Sequence, residues 1–131
     1  MTNRNDNNTA FLIHLSAFFG FLFPFGAIVA PWVFWELNKK KSAFLDENGR
    51  EAVNFNLSYF LYAFVLGLSV VPLVIRTVLD QFHHFDLFGL LSIGSILAVM
   101  AVVKFVLIIF AAIKANQGEV YHYPLTIKFF K

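Results

Sequence analysis

The sequence predicts an all-α, polytopic membrane protein with three transmembrane helices. Long apolar runs occupy residues 11–37, 52–75 and 87–113, and each reaches the ~20 residues that a helix needs to cross a bilayer. Apolar residues make up 59% of the chain, against ~45–50% in soluble domains. A soluble core built from 131 residues cannot bury that much apolar surface, so we expect lipid to cover it.

The segment before the first run, residues 1–10, is a polar N-terminal tail, and residues 11–131 form one helical membrane domain. A cleaved signal peptide is not expected, because the first run is far longer than a 7–15-residue signal core. Pro24 and Pro31 lie within this run, and each removes a backbone donor, so the helix should bend or break.

Two arrangements of the first run are open. We prefer one kinked span with an interfacial lead-in at residues 10–23. The alternative is a hairpin broken at Pro24-Phe25-Gly26, whose arms of about a dozen residues are too short to span at ~1.5 Å per residue. A re-entrant arm of that kind requires protein to cover its backbone.

Trp32 and Trp35 precede Glu36 and the Lys39-Lys40-Lys41 run, which is typical of a helix anchored at the membrane interface. The following loop, residues 38–51, is expected to lie on the membrane surface, with Ser42 capping a short turn.

A polar face opens the second span, where Glu51, Asn54, Ser58 and Tyr62 recur at three- and four-residue spacing. Such a face predicts either interhelical hydrogen bonds or a hydrophilic path. The third span carries Lys104, ~13 Å from its cytoplasmic end, and an ionisable residue at that depth needs a partner. Its candidate partners are Glu36 on the first span and Glu51 or Tyr62 on the second. The candidate intramembrane polar site therefore consists of Glu36, Glu51, Asn54, Ser58, Tyr62 and Lys104.

The third helix should end near Asn116-Gln117-Gly118, since glycine suits a left-handed cap. The C-terminal segment is then expected to return to the interface. Lys128 and Lys131 would face the headgroups, and the interfacial contacts would come from Tyr121, Tyr123, Ile127, Phe129 and Phe130.

Lys and Arg counts predict the orientation of the three-span arrangement. Arg4 and Arg76 lie on one side, and the other side has Lys39, Lys40, Lys41, Arg50, Lys114, Lys128 and Lys131. We therefore expect a multi-pass protein of the bacterial cytoplasmic (inner) membrane, with the N-terminus outside and the 38–51 loop and the C-terminus in the cytoplasm.

Several classes of function are disfavoured by composition. The chain has no Cys, and its formal charge of +2 is too small to indicate nucleic-acid binding. Asp80, His83, His84 and Asp86 could hold a weakly bound cation, but a solvated loop explains them better. No phosphate loop, nucleophile elbow or paired-carboxylate motif is present, so we predict no catalytic residues, no metal site and no cofactor.

Four ordered motifs carry a resemblance that extends over residues 10–131. They are His14-Leu15-Ser16, Pro24-Phe25-Gly26, the run from Asp46 to Asn56, and the ending Ala111 to Glu119 followed by Tyr123-Pro124-Leu125. With them the chain resembles a bacterial uncharacterised membrane-protein family related to Tic-twenty, a chloroplast inner-envelope import component. The resemblance implies a short helical inner-membrane protein without enzymatic activity, with a role in protein transport for the plastid relatives. Lys104 stands where such proteins are expected to have an apolar or aromatic residue.

The leading hypothesis is a non-enzymatic membrane protein that acts as an accessory or assembly partner. Its expected partners are the lipid bilayer, further copies of itself, or another membrane protein. The alternative is a homo-oligomeric channel or small-solute transporter lined by the polar site, since three helices alone cannot enclose a pore. A lipid-acting enzyme ranks third.

Overall fold

Every secondary-structure element in the described chain is helical. The structure is a computed structural model that describes residues 3–79 and 84–131, the second range with side chains from residue 87 onward. In chain order the elements are α1 (Arg4–Leu15), a 3₁₀ helix (Ser16–Phe21), α2 (Gly26–Asn38), α3 (Ala43–Leu79) and α4 (His84–Asn116). The predicted all-α class is confirmed, with no strand within these two ranges.

Two helices are long and apolar enough to cross a membrane, at Ala43–Leu79 and Leu87–Asn116. Only 6% and 17% of their most apolar 18-residue windows are buried. The core helix of a soluble protein buries most of such a window, so these exposed apolar surfaces fit lipid as their solvent. The second and third predicted spans lie within these helices.

The first predicted span is not confirmed. Residues 11–37 are divided among the end of α1, the 3₁₀ helix and α2. The division falls at Pro24, and α2 then continues through Pro31. With 13 residues, α2 measures about 20 Å, which is less than the ~30 Å hydrocarbon core.

Both polar segments around the first run are more helical than predicted. α1 begins at Arg4, inside the predicted tail, where Asn3 Oδ1 accepts a hydrogen bond from Asp6 N at 2.7 Å. α3 begins at Ala43, so the predicted 38–51 surface loop is largely a helix. Ser42 caps it as predicted, accepting from Leu45 N at 3.2 Å, and the 3.2 Å ion pair between Asp46 and Arg50 supports the first turns.

α4 ends where the sequence predicts. Gly118 has a φ of 83°, the left-handed conformation that glycine adopts without steric cost. Its N–H donates to Ala115 O, and the Glu119 N–H donates to Lys114 O, both at 3.0 Å. These two hydrogen bonds form a Schellman cap. The chain then continues as a non-helical C-terminal segment, residues 119–131.

The chain divides into two compact units. Unit 1 comprises Met1–Tyr59 and Phe105–Lys131, and unit 2 comprises Phe60–Lys104. The core of unit 1 consists of two clusters of buried residues: Ala10, Ile13, Leu45, Ala52 and Ala115, and Ala17, Phe55, Ile108, Ala111 and Tyr123. The residues of unit 2 that the structure describes are helical, and their large apolar side chains are mostly exposed. The prediction of a single domain over residues 11–131 stays a prediction.

Candidate functional site

Three of the predicted site residues form one buried polar face on α3, within unit 1. Glu51, Asn54 and Ser58 are 4%, 1% and 0% exposed. Their spacing places them on the same side of the helix over two turns. This side faces the C-terminal segment, and we call these three residues the α3 polar face.

Glu51 is the ionic centre of this face. One carboxylate oxygen, Oε1, forms an ion pair with Lys128 Nζ and lies within hydrogen-bond distance of His122 Nδ1, at 3.1 Å. The other oxygen, Oε2, accepts a hydrogen bond from the backbone N–H of Tyr123 at 3.3 Å. Both oxygens therefore bind the C-terminal segment, and charge-assisted bonds of this kind offset the cost of burying the carboxylate.

Asn54 and Ser58 bind the backbone of the same segment. The Asn54 side chain donates from Nδ2 to Phe130 O at 2.9 Å and accepts at Oδ1 from Phe130 N at 2.8 Å. Ser58 Oγ accepts from Ile127 N at 2.8 Å and donates to Asn54 O at 2.7 Å. The C-terminal segment is not helical and has no regular backbone hydrogen bonds of its own. These side chains therefore pair main-chain groups that would otherwise have no partner.

A second buried network joins α1 to α3 and to the C-terminal segment. His14 Nε2 lies 2.9 Å from Asn48 Oδ1, and His14 Nδ1 lies 2.9 Å from the Tyr123 hydroxyl. Asn48 Nδ2 donates to Phe44 O, so Asn48 Oδ1 is the acceptor. The neutral imidazole therefore carries its proton on Nε2, and the Tyr123 hydroxyl donates to Nδ1.

Burial determines the protonation of this network. Desolvation lowers the pKa of His14 from 6.5 to about 4, although the Asn48 bond and the charge of Glu51 act in the opposite direction. Desolvation likewise raises the pKa of Tyr123 well above 10.0. At neutral pH both groups are uncharged, which is the state that their mutual hydrogen bond requires.

An aromatic contact completes the site beside α2. The Trp35 indole is 6% exposed and donates from Nε1 to Asp46 Oδ1 at 2.9 Å. Its ring meets Phe130 edge-on, with centroids 5.2 Å apart. Gly49 lies against the indole so closely that a Cβ there would overlap the ring. The predicted interfacial role is therefore wrong for Trp35, whereas Trp32 is 48% exposed.

An open recess of about 280 Å³ lies over the ionic part of the site. Its lining consists of Glu47, Arg50, Glu51, Asn54, His122, Lys128, Phe130 and Lys131. In the part of the chain that the structure describes, no three acidic, His or Cys side chains are placed to hold a metal ion. Ion pairs border the recess, so it is suited to contacts with polar or charged groups.

The structure does not gather all six predicted site residues. Glu36 pairs with Lys39 at 2.7 Å, and Glu51 pairs with Lys128, so both carboxylates proposed as partners of Lys104 have other cations. Tyr62 and Lys104 belong to unit 2. A transport path along the polar site would need its groups to be open, but Glu51, Asn54 and Ser58 bind the C-terminal segment.

The interfacial role predicted for the C-terminal segment is wrong for Tyr123. Tyr123 is 5% exposed and stacks on Phe55, with centroids 3.9 Å apart. Lys128 pairs with Glu51 while its side chain stays half exposed, so its predicted contact with headgroups stays a prediction. Ile127 and Phe129 are exposed, and their predicted contact with lipid stays a prediction.

Sequence reasoning missed His14, Asn48 and Tyr123 as members of one network. A signal existed for His14, which interrupts an apolar stretch between Ile13 and Leu15. Its two partners lie 34 and 109 residues away along the chain. No local pattern connects residues so far apart.

Comparison with known proteins identifies the family. The sequence model of the magnetosome magnetite crystal formation protein family, MamF and MmsF, matches residues 5–130. No curated protein matches the chain, and no solved structure matches it. The chain therefore belongs to this magnetosome family, whose members are membrane proteins involved in magnetosome formation.

The resemblance to Tic-twenty-like proteins is wrong, because the family match is to the magnetosome family. The motifs that suggested it have another explanation in the structure. His14, Asn48, Asn54 and Tyr123 come from three of those motifs and hold unit 1 together. Such residues determine a fold and carry no information about protein translocation.

Proposed function

We propose that this magnetosome-family protein is a non-enzymatic, membrane-embedded accessory or assembly component in magnetite crystal formation. It acts by presenting a folded polar surface beside its apolar helices. Its partners are lipid and either further copies of the chain or another membrane protein of the magnetosome.

One observation supports this role above all others: the α3 polar face is filled by the protein's own C-terminal segment. A general acid or base must reach a substrate atom, but both oxygens of Glu51 bind Lys128, His122 or Tyr123. The same bonds rigidify the segment, and a rigid surface loses less entropy when a partner binds.

The proposed location is the bacterial cytoplasmic (inner) membrane and the magnetosome membrane. The connection between α2 and α3 and the C-terminal segment face the cytoplasm, because Lys39, Lys40, Lys41, Lys128 and Lys131 lie there and positive residues favour that side. The mineral would then lie across the membrane from this surface, so the protein would act on assembly of the compartment.

Complementation tests the proposal. In a magnetite-forming bacterium from which the gene for this chain is deleted, the wild-type chain should restore crystal size, measured by electron microscopy. An Asn54→Leu chain, which loses its bonds to Phe130, should restore it poorly at equal membrane abundance. Asn56→Ala is the matched control, since the Asn56 side chain bonds only within its helix, to Ala52 O.

Two results would contradict the proposal. One is crystals of normal size and number in the deleted strain. The other is full complementation by a chain whose C-terminal segment is detached. Affinity purification in mild detergent, followed by mass measurement, then distinguishes a self-assembling component from one that recruits a different protein.

A further inference from the structure

An apolar hairpin in unit 1 carries large side chains at its tip. It comprises the 3₁₀ helix Ser16–Phe21, a turn at residues 22–25 and α2, Gly26–Asn38. Phe21 is 81% exposed, Leu22 75% and Phe25 55%. Leaving a cluster of this size in water is unfavourable, by ~25 cal/mol for each Å² of apolar surface.

We propose that this apolar hairpin enters one leaflet of the bilayer and returns to the face from which it came. Its partner is the lipid acyl chains. α2 has 13 residues and measures about 20 Å, which is too short to cross a ~30 Å core but long enough to reach its middle.

Local hydrogen bonds pair three backbone donors of the turn, which favours its entry into lipid. Leu22 N donates to Phe19 O, and Gly26 N donates to Phe23 O, both at 3.0 Å. Pro24 has no N–H to satisfy. An irregular backbone is excluded from hydrocarbon when its donors are unpaired. Here the donors of Leu22, Phe23 and Gly26 are paired locally, without a covering protein.

Two glycines let the arms of the hairpin approach closely. A Cβ on Gly26 would overlap the carbonyl group of Phe19, and a Cβ on Gly20 would come within 2.9 Å of the Ala27 side chain. Small residues at such crossings allow helices to pack in lipid without polar contacts. The closed hairpin is therefore an intrinsic property of this segment.

Both ends of the hairpin are held on the same side. Before it, Asn7 Nδ2 donates to Asn116 O at 3.3 Å, and His14 bonds Asn48 at 2.9 Å. Near the end of its second arm, Trp35 donates a hydrogen bond to Asp46 at 2.9 Å. The N-terminal helix thus lies beside the end of α4, and the N-terminus shares a face with the C-terminus.

This arrangement replaces the N-outside orientation and improves the charge asymmetry. Arg4 moves to the lysine-rich side, so the count over the same residues changes from two against seven to one against eight. A larger excess of Lys and Arg on the cytoplasmic side is what the positive-inside rule favours. The end of α4 in unit 1 also has exposed Phe105, Phe110 and Ile113, so lipid is the common partner of these surfaces.

Single-cysteine variants in sealed vesicles test the proposal with a membrane-impermeant maleimide. Asn5→Cys and Gln117→Cys, both at exposed positions, should be labelled from the same face. Gln81→Cys, between the two candidate spans in sequence, should be labelled from the opposite face. Leu22→Cys should be labelled from neither face until detergent is added.

Two labelling results would overturn the proposal. Labelling of Asn5→Cys and Gln117→Cys from opposite faces overturns the proposal in favour of a third span. Labelling of Leu22→Cys at the rate of Gln117→Cys also overturns it, because the hairpin then lies in water. Phe21→Cys, at an equally exposed position, repeats the measurement if Leu22→Cys misfolds, and a nitroxide there should collide more often with oxygen than with a water-soluble nickel complex.

Discussion

Asn54 and Phe130 are joined by two hydrogen bonds across 76 residues of chain, one to the backbone oxygen and one from the backbone nitrogen of Phe130. The Asn54 amide thus pairs with a main-chain unit as a neighbouring strand would. This pair holds the end of the C-terminal segment against α3.

Replacing Asn54 by Leu should release the end of the C-terminal segment. Two bonds are lost and the Phe130 backbone groups lose their partner, at a cost of about 1–3 kcal/mol. Limited proteolysis in detergent should then cut after Lys128 faster than in the wild-type chain. Asn56→Ala should leave the cleavage rate unchanged; equal acceleration in both variants would mean that the effect is general destabilisation.

Glu51 and Lys128 should be energetically coupled. Glu51→Gln removes the charge that Lys128 and His122 share, and we expect a loss of roughly 1–2 kcal/mol, reduced from the value for a fully buried pair because Lys128 is half exposed. A double-mutant cycle with Lys128→Met measures the coupling through thermal stability. Additive effects of the two substitutions would contradict the ion pair.

Stability should fall in mild acid because of His14. Its pKa in the fold is about 4, against 6.5 when exposed, so the unfolded chain takes up a proton first as the pH falls. The free energy of unfolding is therefore unaffected by protonation of His14 above pH 6.5. It decreases progressively toward pH 4, by about 3 kcal/mol at ~1.4 kcal/mol per pH unit. Melting temperature in detergent, measured across this range, checks the slope.

His14→Gln is the control for this pH dependence. It should melt at a lower temperature than the wild-type chain at neutral pH, because it disturbs the bonds to Asn48 and Tyr123. Its melting temperature should vary less between pH 6.5 and 4. If both chains show the same slope, another group is responsible for the acid sensitivity.

Two glycines of α3 should respond in opposite ways to alanine. Gly49→Ala forces a methyl group into the Trp35 indole, and overpacking of this kind costs about 1–3 kcal/mol. Gly67 has no atom within 4 Å of an added Cβ, so Gly67→Ala should leave stability unchanged or raise it by up to ~1 kcal/mol. Melting temperatures of the two variants, with Trp fluorescence reporting on Trp35, make the comparison.

Lys104→Met should be tolerated. The side chain is half-buried, and the two candidate carboxylate partners, Glu36 and Glu51, pair with other cations. Removing its charge therefore strands neither carboxylate and abolishes a desolvation cost. A melting temperature at or above that of the wild-type chain is expected, and a marked decrease would reveal an essential role for the charge.

The sequence by itself determined the all-α class, the two long apolar helices, the Ser42 cap and the Gly118 cap. These features depend on local composition and on steric rules within a few residues, which a linear reading captures. The sequence also predicts that Glu51, Asn54 and Ser58 lie on one helical face, because the helical repeat alone fixes that geometry.

Only the tertiary structure decided what this face binds. Tyr123, Ile127 and Phe130 lie 69 to 76 residues from their partners on α3, and no periodicity encodes pairing over such a distance. The tertiary structure also decided the conformation of the first apolar run. Its composition equally permits a span or a hairpin, and the choice depends on turn bonds around Pro24 and on contacts of α1 with α3 and α4 that form only when the chain is folded.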